Sequence, residues 1–295
     1  MSGLSVAAAV NTLAAPDAAR MRMVLERGVK IPAQPRVVQE LRKLLARREA
    51  DVRVLARVIN QDPALTAMLF KVVRSAAYKR HQPFETVAQI VHALGVEETF
   101  NLVQAISLAG IVEVRSNRLA YEAFWVRSQA VGQLAMLVAE DRVAVCNIFP
   151  DQAYLAGIFH DCGVPLLMQR FPTYCAEMRL GEQGRWIELG EEDRKFNADH
   201  CVVGYIVARH WNLPEFICDA VRYHHEIASL GLHAARSMVA ILLLAIHIFY
   251  RDQRVGDGEW AAVEEEVLSE LGIHADALPE FVDVILERYH EQQEP

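Results

Sequence analysis

Apolar residues recur every three or four positions through most of this 295-residue chain, and that spacing restricts the fold more than any other feature of the sequence. The clearest example begins at Asp62 and Pro63, which have the residue types of a helix cap and a first helical turn, and continues as an apolar stripe through residues 65–73. The chain has only 15 glycines and 11 prolines, and no segment of useful length alternates as a β-strand does. The sequence therefore predicts an all-α protein.

The helical segments predict two packed subdomains after a short lead-in. We expect a loosely ordered lead-in over residues 1–20, a first helical subdomain over residues 21–112, and a second over residues 113–295 that includes the C-terminal helices. No Pro-, Gly- or Ser-rich linker separates them near residues 110–120, so the two subdomains should share an interface. Within the second subdomain, residues 180–197 are polar and contain glycine, which predicts a loop or a weak helix.

The charge and hydropathy of the chain restrict its partners. A formal net charge of −8 at pH 7 does not favour nucleic acid, which binds surfaces rich in lysine and arginine. The nearest approach to a basic patch is Arg42, Lys43, Arg47 and Arg48, which we interpret as the solvated face of a helix. The most apolar stretch, residues 238–250, is too short to cross a bilayer and predicts a buried helix. We therefore expect neither a nucleic acid nor a membrane as partner.

The cysteines and the N-terminal sequence indicate a compartment. The five cysteines are odd in number, and no two of them have the spacing of a zinc hook. The N-terminal residues lack the early basic residues and the long apolar region of a secretory signal. These features predict reduced thiols and a cytoplasmic protein.

One short motif carries chemistry that the rest of the sequence does not. Residues 157–163 read GIFHDCG and place His160 beside Asp161 after an apolar run. Neutral imidazole and ionised carboxylate can hold a metal ion that polarises a phosphate ester and lowers the pKa of a water nucleophile. The same pair also forms structural polar clusters between helices, so the motif alone does not decide between the two.

Several motifs in combination resemble the HDOD family, the HD-related output domain of bacterial signalling proteins. The resemblance extends from about Pro32 to His247. The matching stretches are IPAQPRVVQELRKLL, VINQDPALTAMLFKVVRSAAY, VHALG, FWVRSQ, YLAGIFHDCG, DHCVVGYIVARHWNLPEFICDAV and YHHE. The resemblance implies an all-helical fold whose second subdomain is an HD-like bundle, and it implies a regulatory role more often than a catalytic one.

The resemblance also implies where the metal ligands of an HD phosphohydrolase would fall. The corresponding positions are Arg127, His160, Asp161, His224, His225 and Ile246. Arg127 stands where the early histidine is expected, and an arginine stays protonated and has no lone pair to donate. Ile246 stands where the late aspartate is expected and cannot coordinate an ion. Two ligands are therefore lost.

The incomplete ligand set predicts a degenerate HD site. We expect no catalytic residue, no cofactor and no bound metal; a weakly held divalent ion, if any, would use His160, Asp161 and His224. We hypothesise that the guanidinium of Arg127 occupies the space of the lost metal and pairs with Asp161, because a buried carboxylate needs a partner. His200 should make a structural hydrogen bond near this site.

Three functions are compatible with these residues. The first is a non-catalytic cytoplasmic signal-transduction module that acts through protein contacts, with signalling proteins as partners and a homodimer compatible with the sequence. The second is a metal-dependent phosphohydrolase of nucleotides or cyclic dinucleotides with a reduced ligand set. The third is a sensor that binds a small ligand without turnover. The degenerate ligand set favours the first.

Overall fold

The computed structural model describes most of the chain with side chains. The described residues are 6, 10, 11, 15–26, 28–47, 51–74, 84–108, 118–180, 186–231 and 234–291. Within them the regular elements are helices and no β-strand is present, so the predicted all-α fold is confirmed. No helix among these residues is long and apolar enough to span a membrane.

The N-terminal half contributes six helices among the described residues. They are α1 (Ala15–Glu26), α2 (Arg36–Ala46), α3 (Val52–Ile59), α4 (Pro63–Val73), α5 (Val87–Leu94) and α6 (Val96–Leu108). The predicted cap at Asp62 is present, because its carboxylate accepts a hydrogen bond from the Leu65 amide over 3.0 Å. Thr86 and Gln89 form a capping box at the start of α5.

The C-terminal half is built around one long helix. Its helices are α7 (Arg118–Cys146), α8 (Pro150–Phe159), α9 (Val164–Arg170), α10 (Tyr174–Glu177), α11 (Leu189–Phe196), α12 (His200–His210), α13 (Glu215–Tyr223), α14 (Arg236–Asp252), α15 (Trp260–Leu271) and α16 (Leu278–His290). A 3₁₀ turn at Ile227–Leu230 lies between α13 and α14, and another at Ala275–Ala277 lies between α15 and α16. Helix α7 packs against α8, α14, α15 and α16, so its middle turns are buried.

Residues 15–20 lie within the lead-in that the sequence predicts to be loosely ordered. They form the first half of α1, which packs against α12 and buries Ala18 and Met21. Alanine has the highest helix propensity, and a buried face stabilises a helix that weak sequence periodicity does not reveal. The boundary expected at residues 112–113 lies outside the described residues and stays a prediction.

The two halves share an interface that includes Arg42. Its guanidinium donates to the carbonyl oxygens of Trp211 (2.8 Å) and Asn212 (3.0 Å), just beyond the end of α12. Gln34 also donates to the Trp211 carbonyl, and the Trp211 indole donates to the Pro32 carbonyl over 3.0 Å. The interpretation of Arg42 as part of a solvated face is therefore wrong, because unpaired carbonyls at a helix end attract a cation.

Candidate functional site

Two glycines of GIFHDCG allow three helices to meet at the His–Asp pair. A Cβ on Gly157 would lie 2.6 Å from the Cα of Gly132, so α8 crosses α7 at close backbone contact. A Cβ on Gly163 would lie only 2.1 Å from the carbonyl oxygen of His200, the first residue of α12. Because glycine has no side chain at these two positions, Asp161 lies next to α7 on one side and next to α12 on the other.

The guanidinium of Arg127 lies directly on the His–Asp pair. Its Nη1 atom is 2.6 Å from Asp161 Oδ2 and 3.0 Å from His160 Nε2. All three residues are buried, with exposed fractions of 6% or less. The predicted contact between Arg127 and Asp161 is confirmed.

The tautomer of His160 explains how one nitrogen of Arg127 can contact both partners. Burial lowers the pKa of His160, so its imidazole is neutral at pH 7. His160 Nδ1–H donates to the Gly157 carbonyl oxygen over 2.6 Å, which leaves a lone pair on Nε2. The two hydrogens of Arg127 Nη1 can then be shared between His160 Nε2 and Asp161 Oδ2. His160 Nε2 and Asp161 Oδ2 are also the two atoms whose lone pairs would bind a metal ion.

Trp186 completes this side of the site. Its indole N–H donates to Asp161 Oδ2 over 2.8 Å, and its ring lies 4.2 Å from the guanidinium carbon of Arg127. The ring also stacks on Phe124. The sequence did not predict a role for Trp186, because this residue lies in the polar segment 180–197. The one signal that could have identified it is the presence of a large aromatic residue in an otherwise polar segment.

The second oxygen of Asp161 faces two histidines. Asp161 Oδ1 lies 3.2 Å from the Nε2 atoms of both His200 and His224. Neither contact has hydrogen-bond geometry, and Asp161 Oδ1 and His224 Nε2 have no hydrogen-bond partner among the described residues. Burial would raise the pKa of Asp161, but the permanently charged guanidinium of Arg127 outweighs burial and holds the pKa well below its usual value.

His200 is held by a buried carboxylate of α11. Its backbone amide and its Nδ1–H both donate to Glu192 Oε2, over 2.9 and 2.8 Å. The hydroxyl of Tyr174 donates to the other oxygen of Glu192. The expected structural hydrogen bond of His200 is therefore present. Its partner was not foreseen, because the polar segment that carries Glu192 was expected to be a loop or a weak helix.

The remaining positions of the HD ligand set line a cavity beside Arg127. The cavity has a volume of about 690 Å³, and Ile246 and His225 form part of its wall together with Trp186 and Tyr250. His225 Nδ1–H donates to Glu259 Oε2 over 2.7 Å. His247 does not replace the missing aspartate, because its ring stacks on Trp260 and pairs with Asp257 at 3.4 Å instead.

The position that the HD resemblance assigns to a metal does not fit a cation. A metal between His160 Nε2 and Asp161 Oδ2 would have to share their lone pairs with the positive guanidinium of Arg127. His224 Nε2 faces the other oxygen of Asp161, Oδ1, at 3.2 Å. A separate group of donors, formed by His200, Cys201, His224 and His225, lies beside Asp161 Oδ1.

The lowered pKa of Asp161 predicts acid sensitivity. Because the pKa is lower in the folded state than in the unfolded chain, the stability that it contributes is complete above the unfolded value of about 3.9 and is lost as the pH falls further toward the folded pKa. Urea unfolding between about pH 2 and 7 should show a steeper acid loss for the wild type than for Asp161→Asn. If the free energy of unfolding fell equally steeply with pH in both proteins, the pairing of Asp161 with Arg127 would be contradicted.

Comparison with known proteins gives one family and several structures of the same fold. Residues 31–227 match the model of the HDOD domain. A Shewanella amazonensis SB2B protein provisionally named a phosphohydrolase aligns over 93% of this chain and 96% of its own, with a TM-score of 0.68 and 19% identity. A Marinobacter aquaeolei VT8 protein provisionally named in signal transduction aligns over 95% of this chain and 64% of its own, with a TM-score of 0.65 and 22% identity. These likenesses show the fold.

A curated relative is longer than the region that it shares. An uncharacterized protein of Treponema pallidum (strain Nichols) is 21% identical over 201 residues, which are 67% of this chain but only 38% of that protein. The family match covers more than half of the chain and includes the GIFHDCG motif, His200 and both histidines of the pair at 224–225. The chain therefore belongs to the HDOD domain family.

Proposed function

We propose that this protein is a non-catalytic, cytoplasmic signal-transduction module that acts through contacts with other proteins. The observation that carries the proposal is the position of Arg127, whose Nη1 atom lies within hydrogen-bond distance of His160 and Asp161. These two residues are the ones that a hydrolytic metal would need. Arg127 places a permanent guanidinium cation where an HD phosphohydrolase would hold its metal ion. Unlike a metal ion, a guanidinium cannot bind a water molecule as a ligand and activate it as a nucleophile.

The surroundings of Arg127 support the same proposal. The ring of Trp186 covers the guanidinium, and its indole N–H donates a hydrogen bond to Asp161 Oδ2. Ile246 presents no donor to the adjoining cavity. Each contact stabilises the ion pair and leaves fewer lone pairs for an incoming metal, so the site is suited to holding α7, α8 and α12 together.

The absence of HD chemistry can be tested directly. We expect the wild-type protein to hydrolyse bis(p-nitrophenyl) phosphate and cyclic dinucleotides in the presence of Mn²⁺ no faster than Asp161→Asn does. The variant removes the carboxylate charge that any HD metal would require. Metal-dependent turnover that the wild type shows and Asp161→Asn loses would support the phosphohydrolase instead.

A further inference from the structure

The segment that precedes α12, residues 186–197, is tied to the buried carboxylate of Asp161 at two points. At its start, the Trp186 indole N–H donates to Asp161 Oδ2 over 2.8 Å. In its middle, Glu192 Oε2 accepts hydrogen bonds from the amide and the Nδ1–H of His200, and His200 Nε2 lies 3.2 Å from Asp161 Oδ1. Each oxygen of Asp161 therefore faces one of the two attachments.

Little else holds this segment in place. Helix α11 makes up most of it and has no extensive packing against any other described helix. Of the whole segment, only Ile187, Glu192 and Phe196 are buried, and the Phe196 ring packs on those of Phe171 and Tyr174. A segment with so few buried apolar contacts opens at a lower free energy than the core of the protein.

The buried carboxylate of Glu192 restricts the segment to two positions. One of its oxygens accepts the Tyr174 hydroxyl, and the other accepts the hydrogen bonds of His200. If the carboxylate lost some of these partners while it stayed buried, the unpaired charge would cost free energy, whereas water solvates it fully once the segment has opened. Partly docked positions are therefore unfavourable, and the segment is either docked or open.

We propose that residues 186–197 form a strap that opens and closes as one unit, and that the Arg127–Asp161 ion pair is the lock that holds it closed. The guanidinium of Arg127 lies on the Trp186 ring, and Asp161 accepts the indole N–H, so both members of the pair bind the start of the strap. The position that the HD pattern gives to a metal ion thus controls the strap in this chain.

Opening of the strap would change the cavity beside Arg127. Residues 186–190 belong to the lining of that cavity, together with residues 256–259. The buried ring of Phe124 stacks on that of Trp186, so an open strap would make it accessible. The strap therefore covers an apolar surface that a partner protein could bind. This use of the strap rests on the signalling role proposed above, whereas the coupling between its two attachments does not.

Hydrogen–deuterium exchange of the full chain, followed by mass spectrometry, tests the coupling. Trp186→Phe keeps an aromatic ring but removes the N–H that Asp161 Oδ2 accepts. The amides of residues 192–197 should then exchange about 10-fold faster or more, as expected for the loss of one hydrogen bond to a charged group, while those of α12 keep their wild-type rates. Wild-type exchange in α11, or an equal acceleration in α11 and α12, would overturn the proposal.

The reverse direction has a matched control on the same helix. Glu192→Gln removes the buried charge of the second attachment, whereas Glu191→Gln alters a partly exposed ion pair with Lys195. In protein labelled with 5-fluorotryptophan, the fluorine resonance of Trp186 is the one that Trp186→Phe lacks. Its chemical shift should move toward that of the free amino acid in Glu192→Gln and stay unchanged in Glu191→Gln. A Trp186 resonance that Glu192→Gln leaves in place would contradict the coupling.

The wild type alone covers the case in which the variants do not fold. Exchange in increasing urea should show that α11 opens at a lower free energy than α12 and α13, because the strap opens without the rest of the bundle. Equal opening free energies would mean that there is no separate strap. None of these readouts involves hydrolysis. Loss of the coupling would leave the non-catalytic role standing, whereas metal-dependent turnover would contradict that role and leave the coupling intact.

Discussion

Replacing Arg127 with alanine is expected to lower the free energy of unfolding by about 3–5 kcal/mol, because it leaves the buried carboxylate of Asp161 without its permanent counter-charge. The exposed fraction of the Asp161 side chain is only 1%, so its charge depends on neighbouring protein groups for compensation. The variant also loses the cation that lies on the ring of Trp186. Urea unfolding at pH 7, followed by far-UV circular dichroism, measures the loss.

The same helix offers a matched control for this prediction. Arg118 also lies on α7 and pairs with Glu122 over 2.6 Å, but its side chain is 83% exposed. Because water and salt screen an exposed pair, Arg118→Ala should change stability very little. If Arg127→Ala unfolded at the same urea concentration as Arg118→Ala, the buried ion pair would not have the role that we assign to it.

Replacing Gly163 with alanine is expected to destabilise the protein by about 3 kcal/mol or more, the upper end of the range for overpacked cores. The added Cβ would lie 2.1 Å from the carbonyl oxygen of His200, and a backbone atom cannot rotate away as a side chain can. The first turn of α12 would have to move, and His200 would move with it. Thermal unfolding measures the effect.

Another glycine provides the comparison for Gly163. A Cβ on Gly256 would meet no atom within 4 Å, and the backbone there is not left-handed. Gly256→Ala should therefore retain nearly the wild-type melting temperature. Equal melting temperatures for the two variants would mean that the start of α9 and the start of α12 do not approach as closely as the structure places them.

Local patterns in the sequence predicted the helices well, since each pattern depends on residues within a few positions of one another. Asp62 and Pro63 predicted the start of α4 because a cap acts on amides in the next turn. The run at 238–250 predicted the buried helix α14, since apolar residues on all faces of a helix require burial on all faces.

The contacts of the site were predicted only where the resemblance linked distant positions. Arg127 and Asp161 were paired because the HD pattern brings both to one ligand set. No such link pointed to Trp186 or Glu192, which reach the site from a polar segment. Residue types in one segment do not show which distant helix it packs against, and the proximity of Cys201 to His225 follows only from the packing of α12 on α13.

The most direct test of the account is to locate Mn²⁺ in crystals of the wild-type protein soaked in that ion, with diffraction data collected at the manganese absorption edge. The account predicts guanidinium density between His160 Nε2 and Asp161 Oδ2 and no anomalous peak there. An anomalous peak bonded to both atoms, with Arg127 displaced, would show that the HD metal site still binds an ion and would contradict the central claim.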